Sequence, residues 1–462
     1  MTAPTANVST SPRAIWNLTW PQLMMMYFIF FIGLTDIWTA GRLSGDVQAA
    51  LGMITQCITF LQVVSMALSS GALSCISQSL GAGRLRRACR YVSATLLGVA
   101  MLGLLAGLVA LLFSDGLFAL LLVPESLRPL TAQLWAIFMY ALPANYLYTA
   151  SGMLFRATRQ VLPPLWVGGL GCVVNFFGDL GFGLGYFGLP AYGAAGIAWT
   201  SFACIWLCAL GNCLLLLRSG FLRLDSLPVF RWLKAGAPYL LKVAGNAGAA
   251  QLVWHSGYMA LFVLVASLPV DSVNALAGLT AGLRVEAMLF MPAMAVHMSA
   301  AVIVGNLLGA GNAARAHRLG LWLVGAGALV MSCVAAAIWP FRQELAALLA
   351  QDAGVQAQAV SYLEYNLLST PFSVASTIMS GIMTGAGATR YNLMIYGSTF
   401  WFVRLPLAFL LGHHIWKDAA GVFAAMLISQ VIQTSLMLRV VLRGRWMRFA
   451  MKKTQATGPY KE

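Results

Sequence analysis

Asp36 is the residue whose chemistry fits its surroundings least. It lies in the apolar run 24–43, within the sequence GLTDIWTAGRL. A carboxylate at the depth of a bilayer costs roughly 2.5–3.5 kcal/mol on insertion scales unless it is protonated, paired or in contact with water, and such residues are usually functional. We therefore predict that Asp36 takes up and releases a coupling ion. The alternative is a structural hydrogen bond to a neighbouring helix.

The second half of the chain has its own charged residues at depth, Arg284, Glu286 and Arg404. Glu286 is a second candidate for ion coupling, and a buried Glu–Arg pair that stabilises the helix bundle is the alternative. Arg284 is two positions from Glu286, and residues with this spacing do not face each other on a helix. We expect each of them to pair elsewhere, and we expect Arg404 to be a structural counter-ion rather than a substrate ligand.

Four uncharged side chains are suited to binding a flat organic cation. Met26 and Tyr27 end a Met-rich run at 24–27, and Trp254 and His255 are adjacent in a later apolar run. Methionine repacks around varied shapes, and aromatic faces attract cations. We assign these four residues, with Arg284, to a candidate substrate site. Lipid-facing Met and Trp side chains, and a packing role for His255, are the alternatives.

The composition is typical of a polytopic membrane protein. Of the 462 residues, 60% are hydrophobic and only 9% are charged, whereas a soluble protein carries about 25% charged residues. The net charge of +15 does not indicate nucleic-acid binding, because the basic residues are not grouped into one face. Eight cysteines are scattered through apolar segments without a CxxC pair. We expect them to be free packing thiols, with no disulfide framework and no metal site.

The sequence patterns of intramembrane enzymes and nucleotide-binding proteins do not occur. The chain has no HExxH, no GxSxG and no glycine loop followed by GK[ST], and its polar residues at depth are spread singly over both halves. We therefore expect no enzymatic activity, no catalytic residues and no cofactor. The only ion that we expect the protein to bind is the coupling ion, H⁺ or alternatively Na⁺.

Apolar segments long enough to cross a bilayer occur along the whole chain. A spanning helix needs about 20 mostly apolar residues. The candidate spans are 19–40, 49–79, 92–113, 131–155, 163–187, 194–217, 237–266, 276–307, 320–340, 359–385, 393–412 and 420–442. This pattern predicts an all-α membrane protein with about twelve transmembrane helices.

Basic residues predict the orientation of these helices. They concentrate in every second loop and in the carboxy-terminal tail, at 84–90, 156–159, 218–234, 315–318, 390 and 443–453. The opposite loops hold only Arg42, Arg128, Arg342 and Lys417. By the positive-inside rule both termini are cytoplasmic, and residues 1–18 form a cytoplasmic tail. We expect a multi-pass protein of the bacterial inner (plasma) membrane.

An internal repeat divides the chain. The segment LGAGRLRRACR at position 80 is echoed by LGAGNAARAHR at 308, SGMLFRAT at 151 by SGIMTGAG at 380, and AAGIA at 194 by AAGVF at 419. The three echoes keep their order and are separated by about half the chain. Because six helices return the chain to its starting side, a duplicated six-helix unit gives parallel repeats about an axis along the membrane normal.

The repeat predicts two lobes, 19–217 and 237–442, related by a pseudo-twofold axis. A basic and polar linker, 218–236, joins them, and 443–462 form a basic cytoplasmic tail. Two related bundles that face a cleft at the midplane are typical of alternating-access transporters.

These motifs together resemble the multidrug and toxic compound extrusion (MATE) family over nearly the whole chain. The resemblance is carried by GLTDIWTAGRL around Asp36 and by ISQSLGAGRLRRACR at 76–90, NFFGDLGFGLGYFGLPAYGAAGIAWTS at 175–201, RVEAMLFMP at 284–292, VGNLLGAGNAARAHR at 304–318 and SGIMTGAGATR at 380–390. It implies an antiporter that exports a cationic or amphiphilic small molecule while protons or sodium enter. We expect a monomer in a lipid bilayer that binds no nucleic acid.

The family's amino-terminal ion site maps onto Asp36, Asn175 and Asp179, with Thr200 as a looser match. Asn175 and Asp179 are four residues apart, so they share one face of a helix. Two carboxylates and an amide oxygen around one cavity can share a proton, because two like charges in contact cannot both stay ionised. The same oxygens could instead coordinate a hard monovalent cation, and both possibilities remain open.

The second lobe departs from the pattern of sodium-coupled family members, which carry acidic residues in the seventh and tenth spans. The seventh span here has Asn246, Gln251 and His255 but no carboxylate, and Glu364 lies close to the outer interface in the tenth. This departure favours proton coupling through the amino-terminal lobe. Sodium coupling, and flipping of a lipid-linked precursor by a related bundle, are the alternative functions.

Overall fold

The computed structural model describes residues 10–121, 123–226, 230–350 and 352–451, without the side chains of Leu224, Phe230, Arg231 and Leu233. Most of the predicted amino-terminal tail (1–9), three residues of the predicted linker (227–229) and the end of the predicted carboxy-terminal tail (452–462) lie outside these ranges. Every regular element within the described ranges is helical. The all-α class predicted from the apolar segments is therefore confirmed for this part of the chain.

The α-helices follow one another with short connections. They are α1 (Pro12–Leu43), α2 (Gly45–Gly81), α3 (Leu85–Leu112), α4 (Ser114–Leu120), α5 (Arg128–Ala157), α6 (Leu162–Gly178), α7 (Ala194–Arg218), α8 (Phe230–Ala266), α9 (Ser272–Gly309), α10 (Ala313–Ile338), α11 (Arg342–Leu349), α12 (Ala353–Gly385), α13 (Thr389–Thr399), α14 (Leu405–Phe409) and α15 (Ala419–Leu442). π-Helical turns extend α6 at Asp179–Gly183, separate α13 from α14 at Phe400–Arg404, and follow α14 at Leu410–Ile415.

Eleven helices of the described residues are long and apolar enough to cross a membrane, one fewer than predicted. The difference is α5, which has the length, with 30 residues, but is more polar. It packs against α2, α3 and α7, and its Asn145 accepts a hydrogen bond from Gln62 of α2. A helix enclosed by other helices does not need an apolar surface on every side.

The chain separates into two compact units. The first, unit one, spans Arg13–Ala244, and the second, unit two, comprises residues 10–12 and the chain from Gly245 onward. The boundary lies inside α8. Each unit contains one of the two LGAG segments of the repeat. In both segments a glycine adopts a positive φ, 73° at Gly83 and 83° at Gly311, as is common where a helix ends.

Glycines allow α6 and α7 of unit one to approach closely. A Cβ at Gly178 would lie 2.3 Å from Cγ2 of Thr200, and a Cβ at Gly171 would lie 2.4 Å from Sγ of Cys208. Neither distance leaves room for a larger side chain. The carboxyl end of α6 is therefore held against α7, and the π-helical turn that begins at Asp179 follows directly.

Unit two uses the same principle between α9 and α12. A Cβ at Gly381 or Gly385 would lie 2.3 Å or 2.1 Å from the carbonyl oxygens of His297 and Ala301. Small residues spaced four apart allow membrane helices to pack with their backbones in contact. Further along, the ring of Tyr362 lies over Gly282, one helical turn before Glu286. This contact places Tyr362 beside the acidic residue.

Candidate functional site

Asp36 lies in α1 and is hydrogen-bonded to two other helices of unit one. Asn175, in the last turn of α6, donates from Nδ2 to Oδ1 of Asp36 at 3.1 Å. Ser201 of α7 donates from Oγ to Oδ2 at 3.4 Å, a length at which the bond is weak. The side chain of Asp36 is therefore held between α6 and α7, and we call Asp36, Asn175 and Asp179 the carboxylate cluster.

Asp179 completes this cluster. Its side chain is fully buried, and its carboxyl group lies within hydrogen-bonding reach of the carboxyl group of Asp36. Neither oxygen of Asp179 receives a hydrogen bond from an N–H or O–H group of the described residues. A hydrogen bond between two carboxyl groups exists only when one of them carries a proton. The geometry therefore suits a pair that shares one proton.

Other oxygen atoms near the cluster also lack partners. Oδ1 of Asn175, Oγ1 of Thr200 and Oγ1 of Thr39 are buried and have no hydrogen-bond partner in the described residues. Thr39 is one turn beyond Asp36 on α1, and its methyl group faces Gly183 at the end of the π-helical turn. Buried polar atoms without partners usually have a functional or solvent-related explanation. These atoms belong to α6, α7 and α1, the three helices that meet at Asp36.

No cationic side chain of the described residues forms an ion pair with the cluster. Within the described ranges, neither Asp36 nor Asp179 forms an ion pair with a Lys, Arg or His side chain. The same part of the chain contains no group of three or more His, Cys, Asp and Glu residues that could hold a metal ion. Two carboxyl groups and hydroxyl or amide oxygens can bind a proton or a hard monovalent cation, and they are poor ligands for soft transition metals.

The sequence predicts Thr200 as a looser member of the cluster, but Ser201 is the residue of α7 that is hydrogen-bonded to Asp36. In the structure Thr200 packs on Gly178, and its hydroxyl does not contact either carboxyl group, whereas Ser201 reaches Asp36. Both residues lie in the same predicted span. The position of Asp36 relative to α7 decides which of two adjacent hydroxyl groups faces it, and the sequence contains no signal for this choice.

Unit two contains a second acidic site at Glu286, which is half-buried. The hydroxyl group of Tyr362 donates a hydrogen bond to Oε2 of Glu286, and Asn366, one turn further along α12, is a second hydrogen-bond partner. Arg284 is exposed and forms no ion pair with Glu286 within the described residues. This agrees with the helical spacing of these two residues. The expectation that each pairs elsewhere is wrong for Arg284, which forms no ion pair with any of the described residues.

Arg404 lies in the π-helical turn that ends α13 and is 6% exposed. Its Nε donates to Oγ of Ser429 at 2.8 Å and its Nη2 donates to Oε1 of Gln430 at 3.1 Å, while the guanidinium lies 4.5 Å from the centre of the Phe400 ring. It interacts electrostatically with Glu286 without a direct ion pair. Polar and aromatic groups thus surround this buried cation.

The candidate substrate residues are divided between the units. Met26 and Tyr27 of α1 are half-buried in unit one. In unit two, Trp254 packs against His255 and Tyr258 with ring centres 5.0 Å and 4.5 Å apart, and Trp254 remains 39% exposed. Each set therefore presents accessible aromatic or thioether surface within its own unit.

A model of the family described as MatE matches the chain twice, at residues 21–180 and 247–410. The two matches together cover more than half of the chain, and one lies in each half, as expected for a duplicated unit.

The chain is similar to proteins of known name. It is 29% identical over 420 residues to the probable multidrug resistance protein NorM of Bradyrhizobium diazoefficiens, covering 87% of both chains. It is 27% identical over 411 residues to the multidrug resistance protein PmpM of Pseudomonas aeruginosa, covering 87% of this chain and 84% of that protein.

Solved structures share the fold. The crystal structure of MATE in the bent conformation matches with a TM-score of 0.83 and 19% identity over 96% of this chain and 97% of that chain. The outward-facing conformation of a multidrug resistance MATE family transporter of the MOP superfamily matches with a TM-score of 0.83 and 18% identity over the same shares.

Proposed function

The chain belongs to the MatE family, a family of membrane transporters and not of enzymes, and from this premise we propose that it is a secondary active antiporter. It exports cationic or amphiphilic small organic molecules in exchange for protons. The names of the relatives from Bradyrhizobium diazoefficiens and Pseudomonas aeruginosa, which both refer to multidrug resistance, support efflux of toxic compounds as the activity.

The observation that carries the proposal is the contact between the carboxyl groups of Asp36 and Asp179. Asp179 is fully buried and Asp36 is half-buried, both in membrane-spanning helices, and neither has a cationic partner in the described residues. Such a pair is stable when its two carboxyl groups share one proton. If the pair gains a second proton or loses the shared one, the charge of the site changes. A group that changes charge inside a transporter can couple ion movement to substrate movement.

The transport cycle follows from this change of charge. When the site facing outward takes up protons, it loses its negative charge and its attraction for a cationic substrate, so the substrate leaves. Neutralisation also weakens the attachment of α1 to α6 and α7, since Asp36 connects these helices. A ligand shifts a conformational equilibrium only by its difference in affinity for the two states. The proton affinity of the pair must therefore differ between the inward-open and outward-open forms.

Sodium is the alternative coupling ion. The buried oxygens without partners, Oδ1 of Asn175 and Oγ1 of Thr200, are hard neutral ligands of the kind that alkali and alkaline-earth cations prefer. Glu286 is the second candidate coupling residue. It has two hydrogen-bond partners in Tyr362 and Asn366, and it would place the coupling ion in unit two.

Transport measurements distinguish these cases. The purified protein is placed in liposomes, and cation exchange is driven by a proton gradient or a sodium gradient imposed separately. We expect the proton gradient alone to drive exchange, Asp36→Asn to abolish it, and the exposed Asp46→Asn to leave it unchanged. A sodium requirement together with an inactive Glu286→Gln would place coupling in unit two and contradict the proposal.

We further propose that the protein is a monomer of the bacterial inner membrane with both termini cytoplasmic. The distribution of Arg and Lys between the loops supports this orientation. A reporter that is active only in the periplasm should be inactive when fused to either terminus and active when inserted at the turn around Lys417. If the reporter is active at either terminus, that terminus is periplasmic and the proposed orientation is wrong.

A further inference from the structure

Cys204 and Cys208 of unit one form a pair of thiols that the proposed transport cycle does not use. They are four residues apart on α7, so both side chains lie on one face of the helix. Their exposed fractions are 7% and 4%, and both thiols are free. A pair of buried thiols on one helix face is a set of soft ligands, in contrast to the oxygen ligands of the carboxylate cluster.

Gly171 of α6 brings the two sulfur atoms together. A Cβ at Gly171 would lie 2.4 Å from Sγ of Cys208 and 3.4 Å from Sγ of Cys204, so both sulfur atoms occupy the space beside this glycine. The Cys204 thiol donates to the carbonyl of Gly171 at 3.1 Å, and the Cys208 thiol donates to the carbonyl of Val167 at 3.6 Å. The two thiols also lie within hydrogen-bonding reach of each other. They are therefore already oriented as a dithiol.

The dithiol is close to the carboxylate cluster. Cys204 interacts electrostatically with Asp36 and Asp179, and it lies one turn from Thr200, which packs on Gly178 of α6. The same contact between α6 and α7 thus holds the dithiol and, further along, positions the hydrogen-bond donors of Asp36. A ligand bound to the two sulfur atoms would rest against both of these helices.

We propose that Cys204 and Cys208 form a binding site for a soft, thiophilic element that binds two thiolates. The ligands of this site are trivalent organoarsenicals. The described residues offer no third His, Cys, Asp or Glu ligand. A trivalent arsenic atom that already carries one carbon substituent needs only two sulfur ligands, so the pair satisfies it. Thiolates are the ligands that soft elements prefer.

The binding reaction requires no oxidant or reductant. An organoarsenic(III) oxide reacts with the two thiols so that two arsenic–sulfur bonds form and the arsenic–oxygen bond breaks. The two thiol protons leave with the oxygen atom as one molecule of water, and arsenic remains trivalent. The two sulfur atoms become bridged through arsenic on one face of α7.

Binding has a consequence for transport, and this step rests on the proposed function. The bridged arsenic adds volume where α6 approaches α7 so closely that Gly171 leaves no room for a Cβ. The two helices must separate to accept it. Separation moves Asn175 and Ser201, which belong to different helices, away from their shared partner Asp36. We therefore expect bound arsenical to stop exchange.

Intact-protein mass spectrometry of the full chain tests the site directly, with phenylarsine oxide as the probe. We expect wild type to gain one phenylarsenic group that survives excess monothiol and is removed by dithiothreitol, a dithiol. Cys204→Ser and Cys208→Ser should each fail to retain the group, because one thiol does not hold arsenic stably. Cys213→Ser, on the same helix, is the matched control and should retain it as wild type does.

The variants should fold because a serine hydroxyl can replace each thiol as the donor to the backbone carbonyl. An unmodified wild type, or a Cys204→Ser/Cys208→Ser protein that retains the group, overturns the assignment.

Transport in liposomes tests whether bound arsenical stops exchange. Treated wild type should lose exchange, while the treated double variant should keep it. Full exchange by labelled wild type would overturn the inhibition of transport by bound arsenical. If untreated wild type transports no cation, the proposed function fails, and the mass measurement still decides the dithiol site.

Discussion

The hydroxyl group of Tyr362 on α12 donates a hydrogen bond to Glu286 on α9, while the ring of the same tyrosine lies over Gly282 one turn earlier. Tyr362 is fully buried and Glu286 is half-buried in unit two, and a hydrogen bond to a charged group contributes about 1.5–3 kcal/mol. The contact connects the two helices whose backbones also meet at Gly381 and Gly385.

Removal of this hydroxyl should destabilise unit two. Tyr362→Phe leaves Asn366 as the remaining donor to Glu286, so we expect the free energy of unfolding to fall by about 1–3 kcal/mol. The melting temperature in detergent measures the change. Tyr365→Phe, at a neighbouring partly buried tyrosine, is the control. Equal melting temperatures for Tyr362→Phe and wild type would show that the hydrogen bond contributes nothing.

Asp179→Asn should separate stability from coupling in the carboxylate cluster. An amide at this position can donate a permanent hydrogen bond to Asp36, as a protonated carboxyl group does, but it cannot release a proton. We expect the folded protein to be at least as stable as wild type, because the fully buried carboxyl group of Asp179 is replaced by a neutral hydrogen-bond donor. Proton-driven exchange in liposomes should be lost. If the variant still exchanges at the wild-type rate, Asp36 carries the coupling proton without Asp179.

The close contact between α9 and α12 should tolerate no added methyl group. In Gly381→Ala or Gly385→Ala the new Cβ would lie 2.3 Å or 2.1 Å from a backbone carbonyl oxygen, so the helices must move apart. We expect less folded protein after extraction and a lower melting temperature. Gly325→Ala on α10 is the matched control, because nothing lies within 4 Å of its Cβ position. It should be neutral or stabilising by up to about 1 kcal/mol.

Arg404 and Glu286 should be energetically coupled although they form no ion pair within the described residues. Arg404→Gln removes the nearby cation that favours the Glu286 carboxylate, whereas Glu286→Gln leaves Arg404 with its neutral partners Ser429 and Gln430. We expect the double variant to lose less stability than the two single losses added together, by about 0.5–3 kcal/mol. Additive losses in a double-mutant cycle of melting temperatures would show that the two residues act independently.

The periodicity and the charge distribution determine much of this protein. Long apolar segments with almost no charge can be stable only as membrane-spanning helices, because a bilayer offers no partners for unsatisfied backbone groups. For the same reason an isolated aspartate in the first segment indicates function. The spacing of Asn175 and Asp179 places both on one face of α6 and its π-helical continuation, and the structure brings both to Asp36.

Contacts between helices that are distant in the sequence were decided only by the tertiary structure. The rotation and the approach of neighbouring helices decide that Asp36 pairs with Ser201 rather than Thr200. They also decide that Glu286 pairs with Tyr362 rather than Arg284. The same factors bring Cys204 and Cys208 together beside Gly171. Apolar periodicity identifies which face of a soluble helix is buried, but in a membrane helix both the lipid-facing and the packed faces are apolar. Glycine positions and backbone approach then decide the partners, and these become visible only in three dimensions.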